Sequence, residues 1–305
     1  MNTRRQFVFA ACLAGSGLAT AQAQNMLGRA AKPPATHAER FRSAVRRIEA
    51  ASGGRLGVAM LDTHAGVFYG HRDDERFPMC STFKFLLAAQ VLARVDRGEE
   101  RLDRQMQVRA ADLVAYSPST QPHADGAPMS IAALCEAAVT LSDNTAANLL
   151  LASAGGPEAL TAYLRQLGDS HTRLDRNEPD LNTAHPNDPR DTTTPAAMLG
   201  SMRKLVLGDA LLPASRKQLT QWLVENKTGD KRLRAGVPAS WRVGDKTGSG
   251  AYGTNNDIGV MWPPGRDPLL VTAYLTGTKE PVATRERTLA EVGKLAVSLA
   301  SAKVA

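Results

Sequence analysis

The spacing of apolar positions changes along this chain, and each change predicts an element. Over residues 36–52 apolar side chains recur at Phe41, Val45 and Ile48, the three-to-four spacing of an amphipathic helix. Two short β-forming runs, Arg55–Leu61 and Val67–Gly70, flank Asp62-Thr63-His64-Ala65-Gly66 and predict a hairpin. From Phe85 to Val95 nearly every position is apolar, with Gln90 and Arg94 the exceptions. A helix apolar all round is a buried helix. This one is expected to start near Ser81 and to close at Gly98.

Helical spacing then dominates the middle of the chain. Helices are predicted from Pro128 to Leu141 with Ser130 as N-cap, from Asn144 to Ala154, from Pro157 to Leu167 with a stop at Gly168, and over 195–207 and 213–226. Between His171 and Thr194 the periodicity disappears. That stretch is polar and broken by Pro179, Pro186 and Pro189, and connections this long without structure of their own are usually functional or disordered. The end of the chain returns to strands, Ser240–Thr247, Asp257–Trp262 and Leu269–Leu275, and finishes with a helix from Ala283 to about Ala302.

Strands at both ends with helices between them predict an α+β fold. One antiparallel sheet is flanked by the N- and C-terminal helices, with an all-helical lobe inserted. The boundaries expected are an α/β lobe over about 36–80 and 227–305 and a helical lobe over about 81–226, together one catalytic domain over 24–305. A site is expected where the lobes meet.

Residues 1–23 read differently, as an export signal. Arg4-Arg5-Gln6-Phe7 precedes the apolar run Val8–Ala19, and Ala21-Gln22-Ala23 is a small-x-small cleavage site. The paired arginines resemble a twin-arginine signal, although a general secretory signal shares the other features. The expected location is the periplasm or the exterior. Two of the three cysteines, Cys80 and Cys135, lie beyond this segment in apolar helical contexts and are expected to be free thiols.

Composition removes several function classes. The net charge of +7 comes from basic residues scattered among acids, and aromatics are only 5%, so no basic stripe or stacking platform for nucleic acid is evident. The six histidines have no ligand spacing, and there is no His-Glu-x-x-His, Cys-x-x-Cys or Gly-x-Ser-x-Gly. No metal or cofactor is expected, and nothing points beyond a monomer.

The chemistry-bearing residues fall in four places. Ser81 and Lys84 are one helical turn apart at the head of the buried helix, where free backbone N–H groups favour developing negative charge. On its own Ser-x-x-Lys is weak evidence: a chain this long yields about one by chance. Ser201-Met202-Arg203-Lys204 is such a copy, on an amphipathic helix with its basic residues toward solvent. Ser142-Asp143-Asn144 follows an apolar helix, where a helix-end motif is the ordinary reading. Glu178 lies in the long polar stretch, followed by Pro179, and Arg176 and Asp191 bracket it as a pair able to close the loop. Lys246-Thr247-Gly248-Ser249 sits on a strand, whose edge could dock a flat ligand while Lys246 holds a carboxylate. A second copy, Lys227-Thr228-Gly229, reads as the polar end of a helix. Gly248-x-Gly250-x-x-Gly253 matches a dinucleotide fingerprint in form only, because strands flank it on both sides.

Taken together and in this order, Ser81/Lys84, Ser142/Asn144, Glu178/Asn182 and Lys246/Thr247 resemble the class A serine β-lactamases over essentially the whole mature chain. Cys80, Ser249 and Tyr116 fit the same family. The resemblance implies hydrolysis of the β-lactam amide through a Ser81 acyl-enzyme, with Lys84, Ser142 and Glu178 as the other catalytic groups. It implies substrate contacts from Asn144, Asn182, Lys246, Thr247, Gly248, Ser249 and Tyr116. It leaves open whether Lys84 or Glu178 is the acylation base. Many relatives carry an arginine shortly after Lys-Thr-Gly. Here that strand reads Asn255-Asn256-Asp257, and Arg232 matches the alternative arginine of some members, which implies carboxylate recognition. Cys135 matches one half of a disulfide in some relatives, but the partner position is Ala88. The rival readings are a penicillin-binding D,D-peptidase that is only acylated by the drug, and a silent exported receptor for β-lactams or muropeptides. Glu178 with Asn182 argues against the first, since deacylation needs a base and a held water, and the completeness of the motifs argues against the second, since a binder needs neither Lys84 nor Glu178.

Overall fold

The computed structural model describes residues 36–301, so the export segment expected over 1–23 lies outside the described residues. In chain order the elements are helix α1 (His37–Ser52), strands β1 (Arg55–Asp62), β2 (Val67–His71) and β3 (Phe77–Pro78), then helix α2 (Phe83–Asp96). Next come β4 (Gln105–Met106), β5 (Met129–Ser130), α3 (Ile131–Thr140), α4 (Asn144–Ala154) and α5 (Gly156–Gln166). After the polar stretch follow β6 (Thr192–Thr193), α6 (Pro195–Met202), α7 (Pro213–Val224), β7 (Arg242–Ser249), β8 (Asn255–Trp262), β9 (Leu269–Thr276) and α8 (Val282–Ser301).

Five strands form one sheet in the order β2-β1-β9-β8-β7, with every pair antiparallel. The two-residue alternation of strands gives this sheet two apolar faces. Val58, Met60, Val271, Ala273 and Leu275 point to one face, where Phe41 and Val45 of α1 and Leu289 and Val292 of α8 cover them. Ala59, Ile258, Val260, Leu270 and Tyr274 point to the other and join the core of the helical residues between β3 and β7. A register slip of one residue would exchange the two faces, so burial on both sides fixes the pairing. The fold is the α+β arrangement expected. The helical core runs without a break into one face of the sheet.

Helix α2 is the axis of that second core: every residue from Phe83 to Ala93 is buried, Lys84 and Gln90 included. It begins at Phe83, slightly later than the start expected near Ser81. Cys80–Thr82 form a short 3₁₀ turn ahead of it, with Cys80 at φ +47° and Thr82 Oγ1 donating to Met79 O at 2.9 Å. Ser81 therefore stands on a tight turn leading into the helix. Cys80 and Cys135 are both buried and free.

The polar stretch is ordered by charge in place of an apolar face. Arg176 Nε donates to Asp191 Oδ2 at 2.6 Å across its neck, and Asp191 Oδ1 accepts from the backbone N–H groups of Asp175 and Arg176 at 2.7 and 2.9 Å. Leu181 plugs the loop into the core, and β6 pairs with β3 to close it. Among the described residues, no helix is long and apolar enough to cross a membrane.

Candidate active site

The 3₁₀ turn, α2, the start of α4 and the closed loop bring Ser81, Lys84, Asn144 and Glu178 together. Ser81 Oγ donates to Glu178 Oε1 at 3.2 Å. Lys84 Nζ reaches that same oxygen at 2.9 Å and also donates to Ser142 O at 2.8 Å and Asn144 Oδ1 at 2.5 Å. The serine and the amine, expected side by side from their spacing, thus share one carboxylate oxygen. Burial pushes the Lys84 amine below the ordinary lysine range, with Glu178 opposing the shift.

Glu178 is held from three directions. Asn148 brackets its backbone, accepting from Glu178 N and donating to Glu178 O, both at 2.9 Å. Asn182 Nδ2 donates to Glu178 Oε2 at 2.5 Å, and Asn182 Oδ1 is buried without a protein partner. Asn148 was not among the residues expected at the site. It lies four residues after Asn144 on α4, and that spacing, which stacks two side chains on one helical face, is the signal that would have found it.

Ser142-Asp143-Asn144 forms the joint between α3 and α4, with Ser142 at φ +61°. Asp143 caps α4 by accepting from Ala146 N at 2.8 Å, so the helix-end reading of this motif is correct as far as Asp143 goes. The same carboxylate accepts from Ser119 N and Thr120 N, both at 2.9 Å, and fastens the 114–120 loop to the joint. Tyr116 on that loop is at φ +63° and is 61% exposed, a rim residue whose carbonyl accepts from Asn144 N at 3.0 Å. Asn144 Nδ2 donates to Ala115 O at 2.8 Å. Both ends of the Asn144 amide thus have protein partners.

Strand β7 supplies the opposite wall, and as the sheet's edge strand it has one free side. Lys246 Nζ is wholly buried, donating to Ser142 Oγ at 3.1 Å and to Thr247 O at 2.9 Å. Burial, with Lys84 and Arg232 nearby, holds its amine well below the lysine range. Gly248 lets the strand pass the residues before Ser81, since a Cβ there would stand 2.7 Å from Met79 O. Arg232 is only 8% exposed; it donates to Gly248 O at 2.9 Å, Asn256 O at 2.7 Å and Ser249 Oγ at 2.8 Å. It is a buried brace of this wall and not a plain surface arginine.

Lys227-Thr228-Gly229 follows the end of α7, as expected, and also reaches the wall of the site: Thr228 Oγ1 contacts Thr247 Oγ1 at 2.5 Å, and Gly229 lies so close to Asp245 that no Cβ would fit. Its spacing resembles that of a turn, and only the approach of β7 gives it a place beside the site. The other copy behaves as expected: Ser201 is buried against Asp169 and Lys204 is exposed, both away from Ser81. Gly253 lies in the turn between β7 and β8, so no helix follows the glycine pattern. Among the described residues, no group of His, Cys, Asp or Glu is arranged to hold a metal ion.

The same residues can be compared with known proteins. The model of the β-lactamase enzyme family matches residues 40–299. The chain is 47% identical to β-lactamase L2 of Stenotrophomonas maltophilia over 97% of its own length and 98% of the relative's. It is 49% identical to β-lactamase CTX-M-8 of Citrobacter amalonaticus over 81% and 85%. Among solved structures, an ancestral Gram-negative class A β-lactamase superposes with a TM-score of 0.83 at 63% identity, covering 86% of this chain and 99% of that one. The putative class A β-lactamase PenP from Rhodopseudomonas palustris gives 0.83 at 58% identity, covering 85% and 99%. With a matching family model, near-complete coverage and a shared fold, the chain belongs to the class A β-lactamases.

Proposed function

We propose that this protein hydrolyses the amide bond of β-lactams through an ester on Ser81 and so confers resistance to them. The observation that carries this reading is the single oxygen, Glu178 Oε1, in contact with both Ser81 Oγ and Lys84 Nζ. In acylation Ser81 Oγ attacks the lactam carbonyl while its proton passes to the Lys84–Glu178 pair, of which Lys84 remains to take it when Glu178 is removed. Backbone N–H groups of Ser81 and Ser249 stabilise the oxyanion. The C–N bond breaks as Ser142 Oγ gives its proton to the ring nitrogen, and Lys246, hydrogen-bonded to that hydroxyl, makes good the loss.

The proton taken from Ser81 goes on to restore Lys246 and leaves Glu178 a carboxylate. In deacylation a water between Glu178 and Asn182 gives a proton to Glu178 and adds to the ester carbonyl. Glu178 returns that proton to Ser81 Oγ as the ester C–O bond breaks, releasing the ring-opened acid and free Ser81. The unpartnered Asn182 Oδ1 and the Asn182–Glu178 hydrogen bond support this water position. Lys246, Thr247, Ser249 and Arg232 recognise the substrate carboxylate, with Gly248 allowing the close approach, while Asn144 contacts the acylamide and Tyr116 walls the cleft. Residues 1–23 act as an export signal of the twin-arginine type, and the mature chain works as a monomer in the periplasm or outside the cell.

Mass spectrometry of the protein mixed with a penicillin tests the reading. The wild type should show a transient adduct that decays to hydrolysed drug. Ser81→Ala should show none, and Glu178→Ala should accumulate one. A persistent adduct on the wild type would mean a penicillin-binding peptidase and would remove Glu178 from the mechanism.

A further inference from the structure

Asn256, on β8, is 1% exposed and holds two parts of the cleft wall at once. Its side-chain Nδ2 donates to Pro78 O at 2.8 Å and to Met79 O at 3.1 Å, the two carbonyls just ahead of the 3₁₀ turn that carries Ser81. Its own carbonyl accepts from Arg232 Nη1 at 2.7 Å, and that nitrogen also donates to Gly248 O at 2.9 Å. In the β7–β8 ladder Gly248 is the residue opposite Asn256. One residue therefore ties the turn before Ser81 to the strand position before Ser249. The turn needs such a tie. Cys80 is at φ +47°, a left-handed backbone that a residue with a side chain rarely adopts, and such a conformation persists only where its surroundings fix it. From the loop side Asp191 O accepts from Met79 N at 2.9 Å. From the sheet side the hold is Asn256. That hold has a cost, because with Nδ2 turned to two carbonyls Oδ1 is buried without a protein partner. A hydroxyl donates once and a carboxylate not at all, so an amide is the smallest side chain that can serve both carbonyls.

We propose that Asn256 is a positioning residue for the reaction: it fixes the distance between the two backbone N–H groups, of Ser81 and Ser249, that stabilise the oxyanion. This rests on the hydrolase reading. The two donors belong to different elements, a turn entering α2 and the edge strand β7. Each element orders its own backbone, and neither sets its distance from the other. Stabilisation requires both donors within about 2.7–3.1 Å of the oxygen as it becomes charged. A shift of the turn against β7 therefore leaves ground-state binding largely intact and weakens the transition state. Asn256 is buried behind the turn. It acts through Pro78 and Met79 on one side and through Arg232 and Gly248 on the other.

The test reads the ester carbonyl by infrared difference spectroscopy on the full-length protein, with a penicillin labelled isotopically at the lactam carbonyl and Glu178→Ala to hold the ester. Asn256→Leu keeps roughly the volume and removes both donors, while Asn256→Ala removes the volume as well. Added to Glu178→Ala, each should move the carbonyl band to higher wavenumber, toward that of an ester in water, because the bond is less polarised. In the otherwise native enzyme each should slow acylation about 100-fold, the scale of a donor displaced by about 1 Å, while penicillin binding to the Ser81→Ala form changes less than about twofold. A merely structural role would lower Tm and leave the band and the acylation rate of the folded protein where they were. An unmoved band, acylation within about threefold of the native rate, or failure of both variants to fold overturns the role given to Asn256. If the ester on the wild type persists, the hydrolase reading fails separately, and the band read on that ester still decides for Asn256. No ester on any form overturns both.

Discussion

Lys84 Nζ lies 2.9 Å from Glu178 Oε1, and neither side chain is accessible to solvent. A buried ion pair is costly to form and more costly to break, since removal of one partner strands the other charge in a medium of low dielectric. Lys84→Met or Glu178→Leu alone should therefore lower stability by about 3–5 kcal/mol. Lys84→Met with Glu178→Leu should cost less than the sum of the two. Urea unfolding of the four proteins measures this directly, and additive losses would mean that the two groups act independently.

Lys246 has no carboxylate in direct contact, and its amine is held well below the lysine range by burial and by its cationic neighbours. A depressed value means that the charged form is lost at lower pH than for a free lysine, near 10.4. The form that attracts a substrate carboxylate is therefore complete at low pH and disappears as pH rises through the folded value. KM for a penicillin should climb with pH below the ordinary lysine range. Lys246→Arg, whose guanidinium stays charged, should remove that climb. Steady-state kinetics across pH provides the check, and a wild-type KM that stays flat up to pH about 10 would contradict it.

Arg232 links three acceptors, two of them strand carbonyls buried in the wall of the cleft. Arg232→Ala leaves Gly248 O and Asn256 O without this donor, at about 1–3 kcal/mol each. It also frees Ser249 Oγ. The variant should lose thermal stability, and its KM should rise chiefly for substrates that carry the ring carboxylate. Arg232→Lys should recover little, because one ammonium cannot reproduce the planar fork. Calorimetry and steady-state kinetics on the two variants separate these effects. An unchanged KM would leave Arg232 a purely structural brace.

What the sequence determined by itself is local. The three-to-four spacing of Phe41, Val45 and Ile48, the apolar run after Ser81, and the β-forming stretches near the end each name an element whose burial pattern is written in its own residues. Asp143 as a cap and Arg176 with Asp191 as a loop closure were legible for the same reason: partners close in sequence, or bracketing one loop, have few other places to go. The order of the motifs identified the family because each one carries its own chemistry.

Only the tertiary structure decided how those motifs touch. That Ser81 and Lys84 share one oxygen of Glu178 depends on a loop nearly a hundred residues away along the chain folding back over α2. That Arg232 is a buried brace, that Thr228 touches Thr247, and that His185 meets Tyr252 all depend on the approach of β7 and its turn. No periodicity encodes such contacts. They follow from the packing of complete elements, when buried polar groups must find partners among whatever the fold has brought near.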